Sequence, residues 1–74
     1  MPEFKQVEGG SNKGKTYHRG DVCNICGESN LEVVYDARVP RYGQWGDLCE
    51  KCAKEANVQL GIGRGQKYVR VQTK

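Results

Sequence analysis

Cys23-Asn24-Ile25-Cys26-Gly27 and, with 22 residues between Cys26 and Cys49, Cys49-Glu50-Lys51-Cys52 are the stretches on which the reading of this chain turns. Two intervening residues let both thiols of a pair point into one site, and a glycine after the first pair permits a tight turn. Four cysteines suffice for one tetrahedral metal site or for two disulfides, and compartment and spacing decide between them. Residues 1–8 contain acids and no apolar run of signal-peptide length, and no segment is apolar enough to span a bilayer. A reducing cytoplasm is therefore the expected location, which favours a metal over disulfides. The same cysteines would also suit an iron centre or a redox-active pair, and zinc is the leading expectation.

With thiolate at every position the site is closed and keeps no place for an activated water, so one structural Zn2+ is expected and no catalytic residue. The chain also needs such a staple. Seventy-four residues with 36% hydrophobic content make one domain, and a chain that short buries only about 60% of its unfolded surface.

Between the two pairs, Leu31, Val33, Tyr35, Ala37 and Val39 alternate with mostly polar neighbours, the period of a half-buried strand. Pro40-Arg-Tyr-Gly43 turns the chain, and Gln44-Trp45-Gly46 returns, so residues 31–46 read as a hairpin. A helix is predicted to start at Asp47 as cap, with Glu50 three residues on. Cys49, Cys52, Ala53, Ala56 and Leu60 then share one face, and Gly61 stops the helix. Residues 67–73 alternate again and read as a last strand. Upstream, residues 1–15 have no periodicity and many glycines and lysines. They are expected to form a flexible basic tail ahead of a zinc-binding domain over residues 16–74.

A zinc knuckle, a hairpin and then a helix whose first turn supplies the second cysteine pair is the element order of a treble clef. The expected fold is a small zinc-stabilised α+β domain of that kind. More narrowly, Trp45-Gly-Asp-Leu48-Cys-Glu-Lys-Cys52 and Leu60-Gly-Ile-Gly-Arg-Gly-Gln66-Lys-Tyr68 resemble small treble-clef zinc-finger proteins of bacteriophages, of unassigned function. The resemblance spans about residues 21–70. It implies Cys23, Cys26, Cys49 and Cys52 as the zinc ligands and a host-cell cytoplasmic location, and it imports no activity.

Three other patterns invite chemistry that their context refuses. Gly9-Gly-Ser-Asn-Lys-Gly14-Lys15-Thr16 spells a P-loop, yet Tyr17-His-Arg-Gly20 follows where a helix is required, so it reads as a linker. Gly61-Ile-Gly63-Arg-Gly65 follows a helix, which removes the dinucleotide reading and leaves a helix stop or an anion-binding nest. His18 is the single histidine, and the hairpin offers none of the groups a nuclease of the HNH type draws from it.

Charge is uneven: residues 1–20, 21–48 and 49–74 sum to +2, −3 and +4. A polyanion would meet the ends of the chain. The expected phosphate contacts are Lys13, Lys15 and Arg19 with Arg64, Lys67 and Arg70, which makes nucleic acid the leading partner. The rival reading is a protein-interaction adaptor for a host or phage protein, with Glu28, Glu32 and Asp36 facing a basic surface. Neither a membrane nor a small-molecule substrate is expected. Trp45 and Tyr35 are expected to pack around the zinc, leaving Tyr42, Tyr17 or Tyr68 for base contacts.

Overall fold

The computed structural model describes residues 1–71. The chain forms strands β1 (Glu3–Glu8), β2 (Thr16–His18), β3 (Val33–Val39) and β4 (Gln44–Leu48), then helix α1 (Glu50–Glu55) and strand β5 (Gly65–Arg70). All five strands join one antiparallel sheet in the order β2-β1-β5-β3-β4. The result is a small α+β fold. The expected hairpin is present as β3 and β4 around the turn at residues 40–43, and the last strand is present as β5. Gln72 and Thr73, the end of the strand expected over 67–73, and Lys74 lie outside the described residues.

The expected tail is overturned over its first half. Residues 3–8 form a strand inside the sheet, paired to β2 on one side and β5 on the other. Phe4 has no exposed surface and Gln6 is buried beside it, its carboxamide donating to the Gly9 carbonyl. Residues 9–15 are then the loop of a β1–β2 hairpin. Local sequence could not show this, because β1 is held by β5, near the other end of the chain, and its inward set is one aromatic and one glutamine.

The sheet buries side chains on both faces. On one face lie Phe4, Val34 and Tyr68, covered by Tyr17 edge-on to Tyr68 with ring centroids 5.9 Å apart. On the other lie Ala37, Val39 and Leu48 with Ala53 of α1. This explains why the buried set of β3 changes parity between Val34 and Ala37, where strict alternation predicts Val33 and Tyr35, both only half-buried.

Arg19 ties the first face together. Its guanidinium stacks 4.5 Å from the Tyr68 ring centre and bonds both Asp36 of β3 and Asp47 of β4. Those two acids sit directly opposite each other in the β3–β4 register, a repulsive pairing that the arginine relieves. Burial pushes the Asp36 carboxyl above its usual range, Arg19 opposes that shift, and Asp47 adds to it. At the far end, Arg70 bonds Asp21 at 2.8 Å and stacks on Phe4.

Two corrections concern α1. Its cap is Cys49, not Asp47, which is still paired in β4. It ends at Ala56 because Asn57 turns left-handed, φ 56°, a conformation asparagine tolerates well, so Gly61 is not its stop.

Phe4 is the first residue to test. Phe4→Ala is expected to cost about 3–5 kcal/mol, and deleting residues 1–8 should abolish the cooperative melt even in excess metal. A thermal melt of the deletion within about 4 °C of the parent, roughly one kcal/mol in a chain this size, would show that β1 is an accessory strand.

Candidate metal centre

The two cysteine pairs meet because the knuckle is fastened to the end of β4. Asn24 donates its amide to the Asp47 carbonyl at 2.7 Å, and its side-chain oxygen accepts from the Asp47 amide at 2.8 Å. The knuckle closes on itself through the Gly27 amide to the Cys23 carbonyl, 3.0 Å, with Gly27 at φ 80°. That conformation strains any side chain, which accounts for the glycine. Two residues after Asp47 the chain enters α1, and its first turn brings in Cys49 and Cys52.

All four Sγ atoms lie within 4.8 Å of one another. Cys26 and Cys49 are 3.8 Å apart, far beyond a disulfide bond of about 2.05 Å and equal to the edge of a tetrahedron drawn with metal–sulfur bonds of about 2.3 Å. Cys23, Cys49 and Cys52 are buried, and Cys26 faces solvent. Two sulfurs also accept backbone amides, Cys23 from Ile25 at 3.4 Å and Cys49 from Cys52 at 3.5 Å. The donor set and its spacing thus fit a metal ion.

The thiols themselves call for a cation. Burial pushes the Cys23 thiol up, but hydrogen bonds from the backbone at Cys26, Cys49 and Ile25 outweigh it and bring it down to about 6. Cys52 is pushed far up by burial and by the three neighbouring thiols. For Cys26 the Glu28 backbone acts downward, yet Cys23, burial and Cys49 together raise it. One thiolate therefore forms readily while Cys26 and Cys52 resist ionising, until a positive ion sits among them.

The other residues expected to act fall into two groups. Arg19, Lys67 and Arg70 are spent inside the molecule: Arg19 on Asp36 and Asp47, Arg70 on Asp21 and the Leu31 carbonyl, and Lys67 over the Tyr35 ring and 4.0 Å from Glu8. Lys13, Lys15 and Arg64 remain exposed, Arg64 with one bond to Gln59. Sheet topology puts their loops together. The β1–β2 loop, the turn before β5 and the β3–β4 turn all lie at one end of the sheet, where Arg38 and Arg41 are also exposed. Arg38 donates its amide to the Arg64 carbonyl at 3.1 Å. Sequence reasoning missed these two arginines because they fall in its acidic segment; their place beside the Pro40-Gly43 turn was the available signal.

At this end the two glycine motifs pack backbone to backbone. A Cβ on Gly9 would overlap the Gly65 carbonyl oxygen, and one on Gly65 would lie 2.6 Å from Ala37 Cβ and 2.8 Å from the Gln59 carbonyl. The P-loop letters thus sit in a strand–loop–strand hairpin, and their first glycine serves close packing. Trp45 corrects a further expectation: it is 49% exposed, while Tyr68 is buried.

No protein-family model, no curated protein and no solved structure matches the chain. Among the described residues no helix is long and apolar enough to cross a membrane.

Chelating the metal is expected to unfold the domain, since site and core form together. Loading should release protons, from Cys26 and Cys52 at least, so apparent affinity should rise between about pH 6 and 8. Competition against a chromophoric chelator across that range, with metal counted per chain, checks both. A pH-independent affinity, or dispersed amide resonances unchanged after chelation, would defeat this account.

Proposed function

We propose that this chain is a structural-zinc module, treble-clef-like around its metal, that binds nucleic acid through the basic end of its sheet. Four thiolates within 4.8 Å of one another suit Zn2+, and a site with thiolate at every position holds structure and does no chemistry. The observation that supports the nucleic-acid reading is the gathering of Lys13, Lys15, Arg41 and Arg64 on three adjacent loops, with Arg38 at the end of β3 beside them. Cations so placed track a phosphate backbone without regard to sequence.

Of the acids, Glu8 stands at that end, at the close of β1 and 4.0 Å from Lys67, and those expected to face a protein partner do not. Asp21, Asp36 and Asp47 are held by Arg70 and Arg19, and Glu32 flanks β3 at the opposite end. The adaptor reading loses support for the same reason, because Asp36, one of the three acids offered to a basic partner, is already paired. The resemblance to phage zinc fingers agrees with a zinc module and carries no activity.

Binding to a generic oligonucleotide should weaken steeply with salt. Replacing Lys13, Lys15 and Arg64 together by glutamine should flatten the plot of log affinity against log salt by about 0.7–0.9 per lost contact. Arg19→Gln is the contrast: it should lower the melting temperature and leave the slope alone. If the triple variant keeps the parent's slope, or the parent does not bind at low salt, the reading falls.

A further inference from the structure

The large apolar side chains that a small core should claim are instead displayed beside the metal centre. Ile25 of the knuckle is 44% exposed, Tyr42 of the β3–β4 turn 59% and Trp45 of β4 49%. They line two adjoining hollows, about 170 and 300 Å³, that share Ile25, Val39 and Tyr42, one of them reaching Cys52. Together these make one groove running from the helix across the turn to the outer edge of β4, the last strand of the sheet.

The groove adjoins the basic end through Arg41, which lines it. Of the two carboxylates bordering it, Asp47 is held by Arg19, which leaves Glu55 against the Arg41 guanidinium. Polar atoms are also present: Gln44 and Asn24 line the wall, and Asn24 spends its oxygen on the Asp47 amide, keeping its NH2 for a ligand. Exposed aromatic faces, hydrogen-bonding amides and a flanking cation match an unpaired base with its phosphate. A duplex cannot use them, since its bases are already stacked.

From this geometry we infer that the groove is a base-stacking site for single-stranded nucleic acid, with Trp45 and Tyr42 as the stacking faces, Ile25 as the floor, and Arg41 on a flanking phosphate. The inference rests on the nucleic-acid reading above and adds strand type and contact residues to it. Stacking accepts any base and does not require the 2′-hydroxyl, so DNA and RNA single strands are both substrates.

Trp45 is the only tryptophan in the chain, so its fluorescence reports the groove directly. Short oligothymidylate and oligouridylate should each quench it, and a duplex of equal length should not. Trp45→Ala and Tyr42→Ala, followed with labelled strands, should each weaken single-strand binding about fivefold or more with the salt slope kept. Trp45→Phe should restore much of the loss. Both side chains are exposed, so the melts of these variants should match the parent, and the Phe rescue separates stacking from folding. Equal binding of single strand and duplex, no quenching, and no effect of either alanine would overturn the groove while the Lys13, Lys15, Arg64 test still upheld nucleic-acid binding. No binding of either strand type would remove both readings. Trp45 emission that shifts with protein concentration alone, with dimers in sedimentation, would give the groove to a second copy and overturn the inference.

Discussion

Four thiols held within 4.8 Å of one another are the constraint on which this fold depends. In that space several thiolates repel and several thiols waste their donor capacity, so the arrangement suits a cation among them. The elements that converge there come from three parts of the chain: the knuckle, the end of β4 and the first turn of α1. A six-residue helix has too few hydrogen bonds to persist alone. Its cap is itself a sulfur of the site, so ligand and helix start are one group.

The sheet extends this organisation away from the metal, and it does so largely with ion pairs and close backbone contact. Arg19 touches three strands at once through Tyr68, Asp36 and Asp47. Half-exposed acids and a long side chain make each pair modest by itself. Their value is geometric, because the same arginine neutralises two acids that the β3–β4 register forces together. Glycine contributes in a different way: Gly9 and Gly65 let β1, β5 and β3 approach where any side chain would intrude, a use for glycine-rich motifs that needs no bound phosphate.

How much of this was legible follows from the range of each interaction. The cysteine spacing and the hairpin were readable because their signals are local: two residues between thiols, period-two alternation, a proline and a glycine at the turn. The helix was readable in kind and misplaced at both ends, since Asp47 looks like a cap only when β4 is taken to stop early. Strand β1 was invisible because its pairing lies in β5 and its buried positions, Phe4 and Gln6, make no apolar period. The three engaged cations could not be told from the exposed ones, as charge counts carry no information about partners. Trp45 was misjudged by an argument from size alone. It sits on the outermost strand opposite Arg38, where about half of it stays exposed.

In the proposed reading the exposed tryptophan would give a bound metal a role beyond stability. Ile25 lies inside the first ligand pair, Tyr42 and Trp45 belong to the hairpin, and Cys52 of the second pair borders the same groove. The knuckle's bonds to Asp47, and a metal ion shared by the four thiols when bound, would hold Ile25 beside Tyr42. A groove assembled from separate elements loses its shape when they part, and a ligand would then have to order them at its own expense. Zinc in the proposed reading would therefore set affinity without touching the ligand, by holding the walls of the groove at a fixed distance before binding begins.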